Sequence, residues 1–338
     1  MKQFLIIISI LSVMAIGCSE NNTTKLESTS SVVEKNTSLD SINSLIKEDP
    51  NNPDLYFERA KIYYSNRDLV SSMSDVGRSL KLDSSNADYY ILLADLKLIS
   101  KESRASRNAL LKAYAINPNN IDVLLKLGEL YMIVQDSKAS FNYLNQALKI
   151  DVYNATAYRL KGFNYKYLGD TVNAISSFQT AVEQDPEDYD SYLQLGLLFA
   201  EGEHDLAIDY FNNALKVKPN SLEAFYAKGL YYQTTDRPRE AIRVYNELLS
   251  KNNEYFDAWY NIGYIHLEIL DKYDSAAYCF NQAIAFGPEK YFPAVYNRGL
   301  SREKSGDFKK AEDDYREALR LNPQYDLAAR GLSRVLGE

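Results

Sequence analysis

Eight times along this chain a bulky residue is followed four positions later by a small one, and the motif recurs at a step close to 34 residues. The bulky positions are Tyr56, Tyr90, Leu124, Tyr158, Tyr192, Phe225, Trp259 and Val295. The small ones are Ala60, Ala94, Gly128, Gly162, Gly196, Gly229, Gly263 and Gly299. A second pattern runs at the same step. Its small residues are Ser72, Ser106, Ser140, Ala174, Ala207, Ala241, Ala276 and Ala311, and four positions on stand Val76, Leu110, Leu144, Phe178, Phe211, Tyr245, Phe280 and Tyr315. A spacing of four puts both residues on one helix face. Small residues let two helices approach closely and bulky ones fill the gaps between them. The pattern therefore predicts one helix pair per unit and eight units.

Prolines mark the same step. Pro50, Pro118 and Pro186 are 68 residues apart, and Pro219, Pro288 and Pro323 continue the series, so six of the nine prolines share one position. Proline ends the second helix and opens the turn. Asp54, Asp88, Asp122, Asp190 and Asp257 fall at the starts of first helices, where they are expected to cap free N–H groups and to suit the helix dipole.

The order bulky, Gly, Tyr, Ala, aromatic, Ala and Pro over 34 residues resembles the tetratricopeptide repeat (TPR) signature, over residues 53–323. The resemblance implies an all-α, right-handed superhelical solenoid of about eight helix pairs. A lone N-terminal helix at 38–52 and a capping helix at 324–338 complete it. Lys97, His266 and Arg302 depart from the family's Tyr, and Leu248 replaces a small residue. The fifth repeat is one residue short around Glu201-Gly202-Glu203. The seventh has two extra residues, near Asp271-Lys272 and Tyr291-Phe292.

The N-terminus reads as an address. Met1-Lys2-Gln3 precedes 13 nearly all apolar residues, Phe4 to Ile16, too few to span a bilayer and of secretory length. Ala15-Ile16-Gly17-Cys18 resembles the bacterial lipobox, with Ala15 where Leu is usual. The resemblance implies that residues 1–17 are removed and Cys18 is lipidated. Ordinary signal-peptidase cleavage, giving a soluble secreted protein, is the alternative. By resemblance to known sorting rules, Ser19 points to the outer membrane, on its periplasmic side or at the cell surface. Residues 19–37, rich in Ser, Thr, Asn and Glu, read as a flexible tether behind Cys18.

Composition narrows the function. The net charge is −8, with no basic face to neutralise phosphates, so nucleic acid is not an expected partner. With Cys18 assigned, Cys279 stands alone and reads as a small buried hydrophobe. No phosphate loop, dinucleotide fingerprint, nucleophile elbow or zincin motif occurs, and only two histidines exist. His266 reads as a packed helix residue, and His204, among Glu201, Glu203 and Asp205, as part of a solvated turn. No catalysis, metal or cofactor is expected.

In the TPR family one face of each first helix lines a concave groove. Carried over, the resemblance assigns Phe57, Lys61 and Tyr64; Ile91, Asp95 and Leu98; Leu125, Glu129 and Met132; and Arg159, Phe163 and Lys166. It then assigns Leu193, Leu197, Tyr226 and Leu230, followed by Tyr260, Asn261, Tyr264, Tyr296, Asn297 and Leu300. The expected partner site is Tyr64, Phe163, Tyr226, Tyr260, Asn261, Tyr264, Tyr296 and Asn297. A secondary apolar stretch comprises Ile91, Leu98, Leu125 and Met132. Tyrosine joins apolar area to a hydrogen-bonding tip at little rotamer cost, and 28 of the 338 residues are Tyr. Of the basic clamp that some TPR proteins use for a C-terminal carboxylate, only Lys61 is present. The expected role is a membrane-tethered adaptor holding a segment or helix of an envelope protein. A glycan on the groove tyrosines is the alternative, and self-association through the end repeats a third reading.

Overall fold

The computed structural model describes residues 39–337, which fall into two units divided after Pro50. The signal peptide, Cys18 and the tether lie outside the described residues. In the first unit α1 spans Leu39–Glu48.

The second unit is a run of helix pairs: α2 (Pro53–Ser65) with α3 (Leu69–Leu82), α4 (Ala87–Ile99) with α5 (Ser103–Ile116), α6 (Ile121–Ile133) with α7 (Ser137–Ile150), and α8 (Ala155–Tyr167) with α9 (Thr171–Gln184). There follow α10 (Tyr189–Glu201) with α11 (Leu206–Val217), α12 (Leu222–Thr234) with α13 (Pro238–Lys251), α14 (Phe256–Glu268) with α15 (Tyr273–Phe286), α16 (Phe292–Ser305) with α17 (Phe308–Leu321), and a single α18 (Asp326–Leu336). The described residues contain no strand, and this is the expected solenoid of eight pairs and a final helix.

Each pair closes on the small-to-bulky contact that the pattern predicts. A methyl group added at Gly128 would come within 2.5 Å of Leu144, at Gly162 within 2.7 Å of Phe178, at Gly196 within 2.6 Å of Phe211, and at Gly229 within 2.5 Å of Tyr245. Sizes compensate along the chain. Ala60 stands in the pair with Val76 and Ala94 in the pair with Leu110, while every ring at the second position is matched by glycine. All eight bulky residues of this set are buried. In two of the three pairs where the second helix brings Ser instead of Ala, the hydroxyl donates to the small residue's carbonyl, Ser72 to Ala60 at 2.8 Å and Ser140 to Gly128 at 2.6 Å. A buried hydroxyl is thereby satisfied.

The helix starts correct one expectation. Asp54, Asp88, Asp122, Asp190 and Asp257 occupy the second helical position and do not cap. The caps stand two residues earlier, at Asn52, Asn86, Asn120, Asn154, Asp188 and Ser221, whose side chains accept backbone N–H groups of the first turn. The carboxylates still lie at the positive end of the helix dipole. At the ends of second helices Asp83, Asn117, Asp151, Asp185, Asn252 and Asn322 each accept the N–H two residues on, a side-chain turn that closes the repeat.

Between the helices of each pair one residue is left-handed: Arg67, Lys101, Gln135, Gly169, Glu203, Asp236, Asp271 and Gly306. This series locates the irregularities. Glu203 is still in step with Gly169, so the missing residue falls between Glu203 and Ala207, and α11 is accordingly short at 12 residues. The first extra residue lies at Ile269–Leu270, ahead of Asp271. The second lies in the Gly287–Tyr291 loop.

Candidate functional site

Successive first helices touch one another, α6 with α8, α10 with α12 and α14 with α16, whereas among the described residues successive second helices do not approach comparably. A stack that is closer on one side curves toward it, so the first helices form the inner face. Polar side chains bridge neighbours along that face. Lys126 Nζ meets Asp95 at 2.9 Å, Lys166 Nζ donates to Gln194 Oε1 at 2.6 Å, and Arg159 pairs with the buried Asp188 at 3.1 Å. Asp188 thus both caps α10 and ties it to α8.

In the last repeats the bridges become aromatic. Asn261 Nδ2 donates to the Tyr226 hydroxyl at 3.3 Å and Asn297 Nδ2 to the Tyr260 hydroxyl at 2.9 Å. Asn261 also donates to Tyr245 at 3.2 Å. Three groove tyrosines pack on a tyrosine just ahead of the next first helix: Tyr226 on Tyr255 (5.6 Å between centroids), Tyr260 on Tyr291 (5.5 Å) and Tyr296 on Tyr325 (5.3 Å). Burial raises the phenol pKa of Tyr226, Tyr260, Tyr291 and Tyr296, and pushes Tyr255 and Tyr325 up to about 12. All six rings are therefore neutral at physiological pH.

Tyr255, Tyr291 and Tyr325 were not among the expected site residues. Their signal was present, as three tyrosines at or near the 34-residue step, each ending the loop into a first helix.

The expected residues fall as follows. Tyr64, Phe163, Tyr226, Tyr260, Asn261, Tyr264, Tyr296 and Asn297 are all half-buried on first helices. Phe163 leans edge-on against Phe178 at 5.2 Å, and Tyr64 packs in the cluster of Ala60 and Val76. Asn261 donates twice to the preceding repeat and Asn297 once. Tyr264 packs beside Leu267 and Phe280, and its hydroxyl has no hydrogen-bond partner among the described residues. In the apolar stretch Ile91 is buried in the core of the second pair, while Leu98, Leu125 and Met132 are half-buried. Three inner-face carboxylates have raised pKa values: Asp122 and Glu223 through burial and neighbouring acids, Asp257 through burial alone. Such groups accept N–H donors or cations readily.

His204, Asp205 and Cys279 have structural roles. His204 Nδ1 accepts the Leu206 N–H at 3.2 Å, and Asp205 pairs with Arg237 at 2.9 Å. Cys279 is buried, and burial pushes its thiol up to about 12, which leaves it unreactive.

Family models described as tetratricopeptide repeat match residues 121–151, 159–221, 226–290 and 293–325, together more than half of the chain. Among curated proteins, the human Protein O-mannosyl-transferase TMTC3 is 24% identical over 148 residues, 43% of this chain and 16% of that protein. Anaphase-promoting complex subunit 3 of Schizosaccharomyces pombe is 24% identical over 156 residues, 46% of this chain and 23% of that protein. The chain thus spans less than a quarter of the length of either. Among solved structures, the C-terminal part of a TPR repeat-containing protein from Cytophaga hutchinsonii superposes with a TM-score of 0.63 at 17% identity, covering 71% of this chain and 98% of that one. The pairing of small and bulky residues, the left-handed residue within each pair and these matches agree: the chain belongs to the tetratricopeptide repeat family.

Proposed function

We propose that this protein is a non-catalytic interaction scaffold of the bacterial cell envelope that holds a segment of a partner protein along the inner face of its first helices. Proteins with these repeats are in general protein-interaction scaffolds. The observation that carries the reading is the half-buried row Tyr226, Tyr260, Tyr264 and Tyr296 on successive first helices, beside the carboxylates Glu223 and Asp257. The rings are held in place by neighbouring repeats, so little side-chain entropy remains to be lost on binding. The acids receive backbone N–H groups or basic side chains of the bound segment. The transferase name of one relative belongs to a protein in which the matching repeats are 16% of the length, and it brings no chemistry to this chain.

The same proposal places the protein on the outer membrane through acyl chains on Cys18. Several chains on one residue anchor stably where a single chain is marginal. Its support is the run Phe4 to Ile16 followed by Gly17-Cys18. Mass spectrometry of the mature N-terminus is expected to find Cys18 first and acylated, and an unmodified Cys18 would end the lipoprotein reading. The scaffold reading is tested by crosslinked pull-down from native envelopes with wild type and a Tyr264→Ala, Leu230→Ala variant. Neither side chain is part of an inter-repeat hydrogen bond, and circular dichroism of the variant is read first to verify that it folds. Loss of a co-purifying protein from the variant is expected, and identical partner sets would count against the inner face.

A further inference from the structure

In three of the pairs the residue three positions after the small residue of the first helix meets the residue just before the bulky residue of the second. In the third repeat these are Tyr131 and Tyr143, stacked at 5.6 Å, and in the fifth Phe199 and Tyr210, stacked at 5.3 Å. In the eighth they are Arg302 and Asp314, an ion pair at 2.6 Å. In the seventh they are His266 and Cys279, at the positions where the third and fifth repeats bring two rings. Both line a depression of about 440 Å³, open to solvent, among α13, α14 and α15.

The depression is furnished for a ligand. Ile242 and Ile262 supply apolar floor, and the rings of Trp259 and Tyr278 meet edge to face at 6.0 Å. Trp259 is locked, because its indole N–H donates to the Asn253 carbonyl at 2.8 Å, whereas Tyr278 is 59% exposed at the rim. Asn246, Asp274 and His266 add polar groups. His266 Nδ1 is buried with no hydrogen-bond partner, a cost that the fold leaves unmet. A turn of the imidazole about χ2 offers that nitrogen to a bound donor.

Charge narrows the ligand class. No Lys or Arg lines the depression and Asp274 does, so an anion is disfavoured. Lys272 lies near enough to His266 to disfavour a second cation beside it, and with burial it keeps the imidazole neutral. A neutral ring with hydroxyls on its edge and an apolar face fits these walls. We infer that this depression, on a different side of the repeat from the groove, is a binding site for a neutral hexose-type sugar residue. The ring would lie against Trp259 and Tyr278, with its hydroxyls on Asn246, Asp274 and His266.

Trp259 is the only tryptophan of the chain, so its fluorescence reports on this repeat, and the two variants below assign a change to this site. The full chain would be titrated with glucose, galactose, mannose and N-acetylglucosamine, and with glucosamine and glucuronate as charged controls. A saturable emission change with at least one neutral sugar is expected. His266→Tyr, which restores the residue found at this position in the third repeat and fills the space, should weaken binding by about tenfold or more. Tyr278→Ala, at an exposed ring whose loss leaves the core intact, should weaken it as well. The inference is overturned if no neutral sugar changes the emission, if only the charged sugars do, or if His266→Tyr and Tyr278→Ala respond like wild type. None of these outcomes bears on the groove, whose test reads a different face.

Discussion

Gly229 lies so close beneath the ring of Tyr245 that a methyl group in place of its hydrogen would stand 2.5 Å from Tyr245 Cε1. Tyr245 cannot retreat. It is fully buried, and its hydroxyl donates to Gln233 Oε1 at 3.1 Å while accepting from Asn261. Gly229→Ala should therefore destabilise the protein by about 2–3 kcal/mol, the upper range for overpacking. The second repeat pairs Ala94 with Leu110, so the double variant Gly229→Ala, Tyr245→Leu should be more stable than the sum of the single losses. Urea denaturation followed by far-UV circular dichroism reads both. An additive double variant would show that the two side chains are not in contact.

Six of the eight left-handed residues within the pairs are not glycine, among them Gln135 at φ 63°. A side chain in that region is strained, and glycine is not, at some cost in unfolded-state entropy. Gln135→Gly should raise stability by about 0.5–1 kcal/mol, while Gly169→Ala, at φ 75°, should lower it by about 1 kcal/mol. Thermal melts of the two variants should move in opposite directions, and shifts of the same sign would contradict the backbone argument.

Two carboxyls give opposite pH signatures. Glu303 sits below its usual range because Arg334 of the final helix donates to both its oxygens, at 2.8 and 2.9 Å. Its contribution is present above the unfolded-state pKa of about 4.3 and is lost as pH falls through its lower folded value. Glu303→Gln should cost about 1–2 kcal/mol at neutral pH and nothing in strong acid. Asp257 is raised by burial, so the folded state holds its proton more tightly than the unfolded state. Its penalty appears as pH rises through the interval from about 3.9 to its folded value. Asp257→Asn should therefore stabilise at pH 7, by less than about 1 kcal/mol because the group remains half open to water, and not in acid. Melting temperatures against pH for the two variants test the signs.

The fold was legible in the sequence because its contact repeats. A small residue and a bulky one recur eight times in two registers, and each glycine proves to sit under the ring or branched chain sixteen or so residues later. The caps were within reach but misassigned. Asn52, Asn86, Asn120 and Asn154 keep the 34-residue step, the first three of them two positions ahead of aspartates that looked like caps. Two polar residues that close to a helix start differ only in backbone conformation, which sequence does not display. The bridges from Asn261 to Tyr226 and from Asn297 to Tyr260 were hidden for another reason. They join residues 35 and 37 positions apart that could equally have faced solvent. The depression of the seventh repeat was not legible because its walls, Asn246, Trp259 and Tyr278 among them, come from three helices in positions that the 34-residue step does not link.

The central claim, that a partner lies along the first helices, is tested most directly by site-specific photocrosslinking in native envelopes. A photoreactive amino acid would replace Tyr264 or Leu230 on the inner face, and Val70 or Val172, which are 84% and 78% exposed, on second helices. The account predicts a shared crosslinked protein from 264 and 230 and none of it from 70 and 172. Crosslinks to that protein from the second helices alone would contradict it.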